Sequence, residues 1–93
     1  MSEDGEEFNE DLRQTLEEIS RYYMPFGKYG PDHFPPHGKR LYDLPWEYLH
    51  LFSQQGWPKS RLGQLMEIVY HMKGDGSEEV FNVFRQAERK RRP

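Results

Sequence analysis

Three groups of residues in this chain have types and spacing that could do chemistry. The first is Asp32, His33 and His37, since imidazole and carboxylate together suit a divalent transition metal. A four-residue histidine spacing brings two ligands together only on a helix, and Pro35-Pro36 between them forbids one. The expectation is therefore exposed loop histidines and no metal site. The second group is Asp43, Glu47 and His50 around Pro45, where general acid–base work would need paired groups in a cleft. Asp43 is more simply a turn or capping residue. No serine sits in a nucleophile-elbow context, no G-x-x-x-x-G-K-[ST] phosphate loop exists, and there is no cysteine to act as a thiolate. No catalytic residue, metal or cofactor is expected, and the chain is expected not to be an enzyme.

The third group is cationic and aromatic. Phe26-Gly27-Lys28-Tyr29 places a lysine between two rings, and Lys39-Arg40 return on the far side of a proline-rich stretch. With Lys59 and Arg61 these form a candidate binding patch of the kind that holds a phosphate or a single-stranded backbone. An alternative reading makes Phe26 and Tyr29 core residues, Gly27 a bulge and Lys28 the ion-pair partner of Asp43 or Glu47. A further basic run, Arg89-Lys90-Arg91-Arg92, could bind nucleic acid or an acidic partner. A solvated helix end is its commoner role, and the acidic residues 3–11 could lie beside it within the same molecule.

The elements that must position these groups follow from hydrophobic spacing. Phe8, Leu12, Leu16, Ile19 and Tyr23 make one helical stripe, which Met24-Pro25 should end. Residues 24–44 are short, aromatic and rich in Pro and Gly. They predict a two-stranded antiparallel ribbon whose Gly30–Gly38 loop is mobile and dispensable for folding. Leu44-Pro45 starts a second helix with Trp46, Leu49 and Phe52, and Tyr48 beside them, inward and Gly56 as its cap. Leu62, Leu65, Met66, Val69 and Met72 mark a third helix, stopped by Lys73-Gly74. Ser77 should cap a fourth, carrying Val80, Phe81, Val83, Phe84 and Ala87.

The fold expected is α+β, a short ribbon with a long Pro-rich loop packed on about four α-helices. Its core is expected from Leu16, Ile19, Phe26, Leu49, Phe52, Leu65, Met66, Val69 and Phe84. Residues 1–5 are expected to be a disordered amino terminus and residues 6–92 one small domain.

Composition supports a single domain. The chain has 93 residues with 14 aromatic rings, enough to offset a modest aliphatic content. Residues 1–24 carry eight acids against two bases and residues 59–93 eight bases against five acids, so the net charge of −3 hides a dipolar chain. That balance argues against a dedicated DNA binder, which needs a concentrated basic face. No apolar run suits a membrane helix, the acidic start does not suit a signal peptide, and the lack of cysteine fits the cytoplasm.

Met24-Pro-Phe-Gly-Lys-Tyr, Leu41-Tyr-Asp-Leu-Pro-Trp-Glu-Tyr-Leu and the Gly56, Pro58, Leu62, Gly63, Leu65, Met66 spacing together resemble a family of small bacterial proteins. That family is labelled putative quorum-sensing-regulated virulence factor. Resemblance covers about Tyr23 to Gly76. The Pro25–Tyr29 segment is also similar to one in domains appended to DnaQ-type exonucleases, which implies a nucleic-acid setting for some relatives. Gly30-Pro31-Asp32 departs from that pattern, as an insertion in the loop. The leading expectation is a non-catalytic binding or regulatory adaptor module with a protein partner, virulence-associated by resemblance. The alternative is a nucleic-acid-binding accessory domain using the Lys/Arg-aromatic patch. No membrane partner is expected.

Overall fold

Helical periodicity organises the chain, as the spacing of its apolar residues dictates. The computed structural model describes the backbone of residues 2–91 and the side chains of residues 10–87 and Arg89. Met1 of the segment expected to be disordered lies outside the described residues, as do Arg92 and the side chains of Phe8, Lys90 and Arg91. Among the described residues there are four helices: α1 (Ser2–Arg21), α2 (Trp46–Gln55), α3 (Arg61–Asp75) and α4 (Asn82–Arg91). Single 3-10 turns occupy Gly27–Tyr29, Leu41–Asp43 and Ser77–Phe81.

The α+β expectation is overturned. Among the described residues there is no sheet, and the expected ribbon shrinks to one antiparallel bridge, Tyr23 to Arg40. It is closed by Met24 N–H donating to Lys39 O (2.7 Å) and Leu41 N–H donating to Tyr22 O (3.2 Å). Two features stop it there. Pro25 has no N–H with which to continue a ladder. On the other side Leu41 and Tyr42 are both buried, which strand alternation forbids and a 3-10 turn permits.

The core comprises Leu16, Ile19, Met24, Leu41, Tyr42, Leu44, Leu49, Leu65, Met66, Val69 and Phe81. The α3 stripe is buried as its spacing requires, with Leu62 and Met72 at the margins. Tyr42 and Phe81 stack at 5.2 Å in the centre, so the 3-10 turns contribute its largest buried rings. Phe26, expected in the core, is 46 % exposed, because Tyr29 fills the space against Tyr48 instead. Phe52 and Phe84 are only partly buried.

Helix ends depart from expectation for local reasons. α1 stops at Arg21, three residues short of Met24. α2 ends at Gly56 as expected, whereas α3 runs through Gly74 to Asp75 and ends on left-handed Gly76. Ser77 does not cap α4. Its N–H and hydroxyl both donate to the Asp75 carboxylate, and α4 begins only at Asn82. Arg85 then anchors α4, its Nε 2.9 Å from Asp43 Oδ1 and its Nη2 3.0 Å from Tyr42 O.

α1 and α4 run in the same direction. Leu12 and Arg13 line a groove with Val80 and Val83, while Ser20 and Arg21 share the adjoining cavity with Ala87. The expected pairing between the acidic residues 3–11 and the run Arg89–Arg92 falls largely on side chains outside the described residues.

Candidate functional site

The segment from Pro25 to Lys39 is a folded loop rather than a mobile one. After the Gly27–Tyr29 turn, His33 and Phe34 N–H groups donate to Gly30 O and Gly38 N–H donates to Phe34 O. Lys39 N–H then donates to Tyr29 O at 2.9 Å and closes the loop. Gly38 has φ +96°, and a Cβ there would lie 2.1 Å from Met24 O, so only glycine lets the two passes of chain touch. Gly30 is buried against the Phe26 backbone in the same way.

A row of rings supports this loop. Tyr29 stacks on Phe34 with centroids 5.6 Å apart and meets Tyr48 edge-on at 4.7 Å. Tyr48 meets Phe52 at 5.3 Å, and Phe52 stacks on Trp57 at 6.2 Å. Burial, with a smaller effect of Tyr29, pushes the Tyr48 hydroxyl above the ordinary phenol range. Two lysines lie over the outer rings. Lys28 Nζ is 5.7 Å from the Tyr29 centroid and Lys39 Nζ is 5.1 Å from that of Phe34. Among the described residues neither lysine forms an ion pair. Phe26 and Phe34 remain exposed beside them, at 46 % and 37 %.

The structure therefore joins Lys28, Tyr29 and Lys39 on one loop with Phe26 and Gly27, and gives the other candidates different work. Arg40 Nη1 donates to Ser20 O, and its guanidinium lies 4.5 Å from the Tyr23 ring centre, fastening the end of α1. Arg61 binds Glu18 through two hydrogen bonds of 2.9 and 2.6 Å and also reaches Gln64. The Arg61 hydrogen bond holds the Glu18 carboxyl below the usual carboxylate range. Lys59 is exposed at the start of α3. The proposed partner of Lys28, Asp43, is taken by Arg85.

Phe34 was not among the candidate site residues, and Tyr48 was expected only beside the inner face of α2. The four-residue step from Tyr48 to Phe52 on α2 was the available signal, because it puts both rings on one helix face. The acid–base grouping does not assemble either. His50 Nδ1 lies 2.8 Å from Tyr70 Oη, and its ring stacks 4.5 Å from Trp46, apart from the Asp43–Arg85 pair. His37 packs against Tyr23, and no three His, Cys, Asp or Glu residues gather as a metal-ligand set among the described residues. No described helix is long and apolar enough to cross a membrane.

A family model described as "Putative quorum-sensing-regulated virulence factor" matches residues 12–84, which takes in the whole loop and the ring row. The chain belongs to this family. Two relatives, each an "Uncharacterized protein YpeB", come from Escherichia coli strains K12 and O157:H7. Each is 42 % identical over 65 residues, covering 69 % of this chain and 81 % of the relative. No solved structure matches. The family match excludes the acidic residues 3–11 and the basic run Arg89–Arg92, so these charged ends lie outside the shared part.

Proposed function

We propose that the chain is a non-catalytic binding module of the cytoplasm whose contact face is the Phe26–Lys39 loop, and whose partner is a protein. One observation carries this reading: two exposed phenylalanines, and two lysines without ion pairs among the described residues, stand on a backbone locked by close glycine contacts. A face with its rings already ordered loses little entropy on binding, and exposed aromatic anchors dominate contact energies. The family description, with its quorum-sensing control, is the ground for reading the module as regulatory.

The test is a photo-crosslinking residue placed at Phe26 in the full chain in cells, with Leu51, also exposed, as the control position. A discrete protein adduct from position 26, absent from position 51 and lost on Lys28→Gln with Lys39→Gln, is the expected result. No adduct from position 26 overturns the reading.

A second reading, single-stranded nucleic-acid binding, draws on the same lysines over rings, which suit phosphates and bases in turn. Titration of the ¹⁵N-labelled chain with a deoxythymidine decamer separates the two. Salt-sensitive shifts of the Gly27–Tyr29 and Lys39 amides would favour the strand over the protein partner.

A further inference from the structure

The end of α3 forms a notch that shares no residue with the loop face. It holds about 430 Å³ and is lined by Trp46, Tyr70, His71, Gly74 and Asp75. Its rings make a corner: Trp46 and Tyr70 lie nearly parallel with centroids 5.7 Å apart, and His71 stands at 60° to Tyr70. Gly74 lacks the Cβ that would stand 3.8 Å from Trp46 Nε1, so the space beside the indole stays open. Trp46 is 38 % exposed, and indole is the ring that holds cations best.

Charge in the notch is negative. Asp75 Oδ1 accepts from the Ser77 hydroxyl and, at 2.9 Å, from the Ser77 N–H, and these bonds hold the carboxyl below the usual carboxylate range. Its Oδ2 has no partner among the described residues. The last turn of α3 adds the negative end of a helix dipole, and Glu67 lies 3.7 Å from His71 Nε2. Lys73 in the same turn is committed to Glu78 at 3.0 Å, and among the described residues no lysine or arginine lines the notch.

The fold itself shows what such a set of groups holds. Arg85 lies over the Tyr42 ring at 5.0 Å, with its Nε on the Asp43 carboxylate and its Nη2 on the Tyr42 carbonyl oxygen. Arg40 over Tyr23, Lys28 over Tyr29 and Lys39 over Phe34 repeat the pairing of cation and ring. Trp46, with a carboxylate and a helix end beside it, has no cation over it among the described residues. We propose that the notch binds an arginine side chain of a partner segment, its guanidinium stacked on Trp46 and donating to Asp75 Oδ2. A planar guanidinium suits the notch better than an ammonium, because it stacks on a ring and donates to a carboxylate in its own plane at once. An apolar side chain would desolvate the carboxylate without pairing it. Four of the five lining residues are exposed, so the chain carrying the arginine has room to pass, whereas a free small molecule needs deeper enclosure. The loop-face reading rests on other residues, and either can fail alone.

NMR titration of the ¹⁵N-labelled full chain at pH 7.5 and 150 mM salt tests the notch. The probes are the capped peptide Gly-Ser-Arg-Ser-Gly, its counterpart with lysine in place of arginine, and ethylguanidinium. The arginine peptide should move the Trp46 indole N–H and the Gly74 and Asp75 amides saturably, with a Kd of about 1 mM, as one cation on an open site allows.

Asp75→Asn keeps an acceptor for Ser77 but removes the charge, and should weaken binding by about threefold or more. Gly74→Met fills the notch, and should abolish binding while the thermal midpoint stays at or above the parent value, since methionine is the better helix former. The lysine peptide should bind about threefold more weakly or worse, and ethylguanidinium no more tightly than the arginine peptide. No saturable shift from the arginine peptide overturns the proposal, as does binding indifferent to Gly74→Met or to Asp75→Asn. Equal binding of the lysine peptide overturns the guanidinium assignment. Binding of ethylguanidinium but not of the arginine peptide overturns the partner segment as its source.

Discussion

Two glycines in α3 should respond to the same substitution with opposite signs. Gly63 lies in the first turn and is buried, and a Cβ there would stand 1.8 Å from the carbonyl oxygen of Pro58 and 2.8 Å from its carbon. The obstacle is backbone, which cannot rotate aside like the tip of a long side chain. Relieving it needs a displacement of at least about 1 Å between the Trp57-Pro58 loop and the helix, in a region packed to native density. Gly74, the penultimate residue of the same helix, is exposed, and its added Cβ would meet only Trp46 Nε1 at 3.8 Å, an ordinary contact. Alanine gains about 1 kcal/mol over glycine inside a helix, and less near an end. Gly74→Ala should therefore stabilise the protein by about 0.5 kcal/mol. At Gly63 the same gain is set against overpacking of about 1–3 kcal/mol or more, because the shift would also disturb Trp57, which touches Phe52 and Tyr70. A net loss of about 2 kcal/mol is expected for Gly63→Ala. In a chain of this size that lowers the thermal midpoint by about 8–16 °C. Urea titration and thermal melts followed by circular dichroism measure both variants. If Gly63→Ala melts at or above the parent temperature, the Pro58 carbonyl is not seated on α3 and the loop is placed wrongly.

Other expectations follow from the same contacts. Replacing residues 31–37 by a short glycine turn should lower the thermal midpoint by about 5–10 °C, since the Phe34–Tyr29 stack and the His37–Tyr23 contact are lost; an unchanged melt would return the loop to the mobile class. Glu18 is held below its unfolded value by Arg61, so its contribution is complete above the ordinary carboxylate range and is lost as pH falls through the folded value. Glu18→Gln should accordingly be less stable than the parent at pH 7, with the gap closing in acid; a gap independent of pH would mean that the Arg61 pair contributes nothing. Lys28→Gln should change stability by no more than about 0.5 kcal/mol, as for ordinary surface positions, because no carboxylate among the described residues pairs with it. A loss above about 1 kcal/mol in denaturant titration would restore a structural role for this lysine.

The helices were legible because amphipathic spacing is a local signal. Leu65, Met66 and Val69 point inward for the reason their spacing gives, and Gly56 caps α2 as its position suggests. The ribbon was misread because Lys39 to Tyr42 looks extended by composition, whereas burial decided its conformation. Adjacent Leu41 and Tyr42 must both enter the core, and only a turn allows that. Such a demand comes from the surrounding helices and leaves no periodic trace in four residues. The same holds for Phe26 and Tyr29, two aromatics three residues apart in a turn. Nothing in their types says which one meets Tyr48, and the loser is left on the surface.

That choice is also what makes the site. Lys28 and Phe26 were legible as a cation beside rings, but their freedom was not. It depends on Arg85 reaching across from α4 to occupy Asp43, 42 residues away in sequence. Arg61 was drawn into the same patch by charge alone, yet its guanidinium is committed to Glu18 on α1. The two arginines show why a count of positive residues overstates a binding face. Each planar fork finds a carboxylate or carbonyl within the fold, as guanidinium geometry favours. The lysines of the loop, compact charges over rings, keep their ammonium groups available. Within this patch, structural charge falls to Arg40 and Arg61, and the charge left for a partner falls to Lys28 and Lys39.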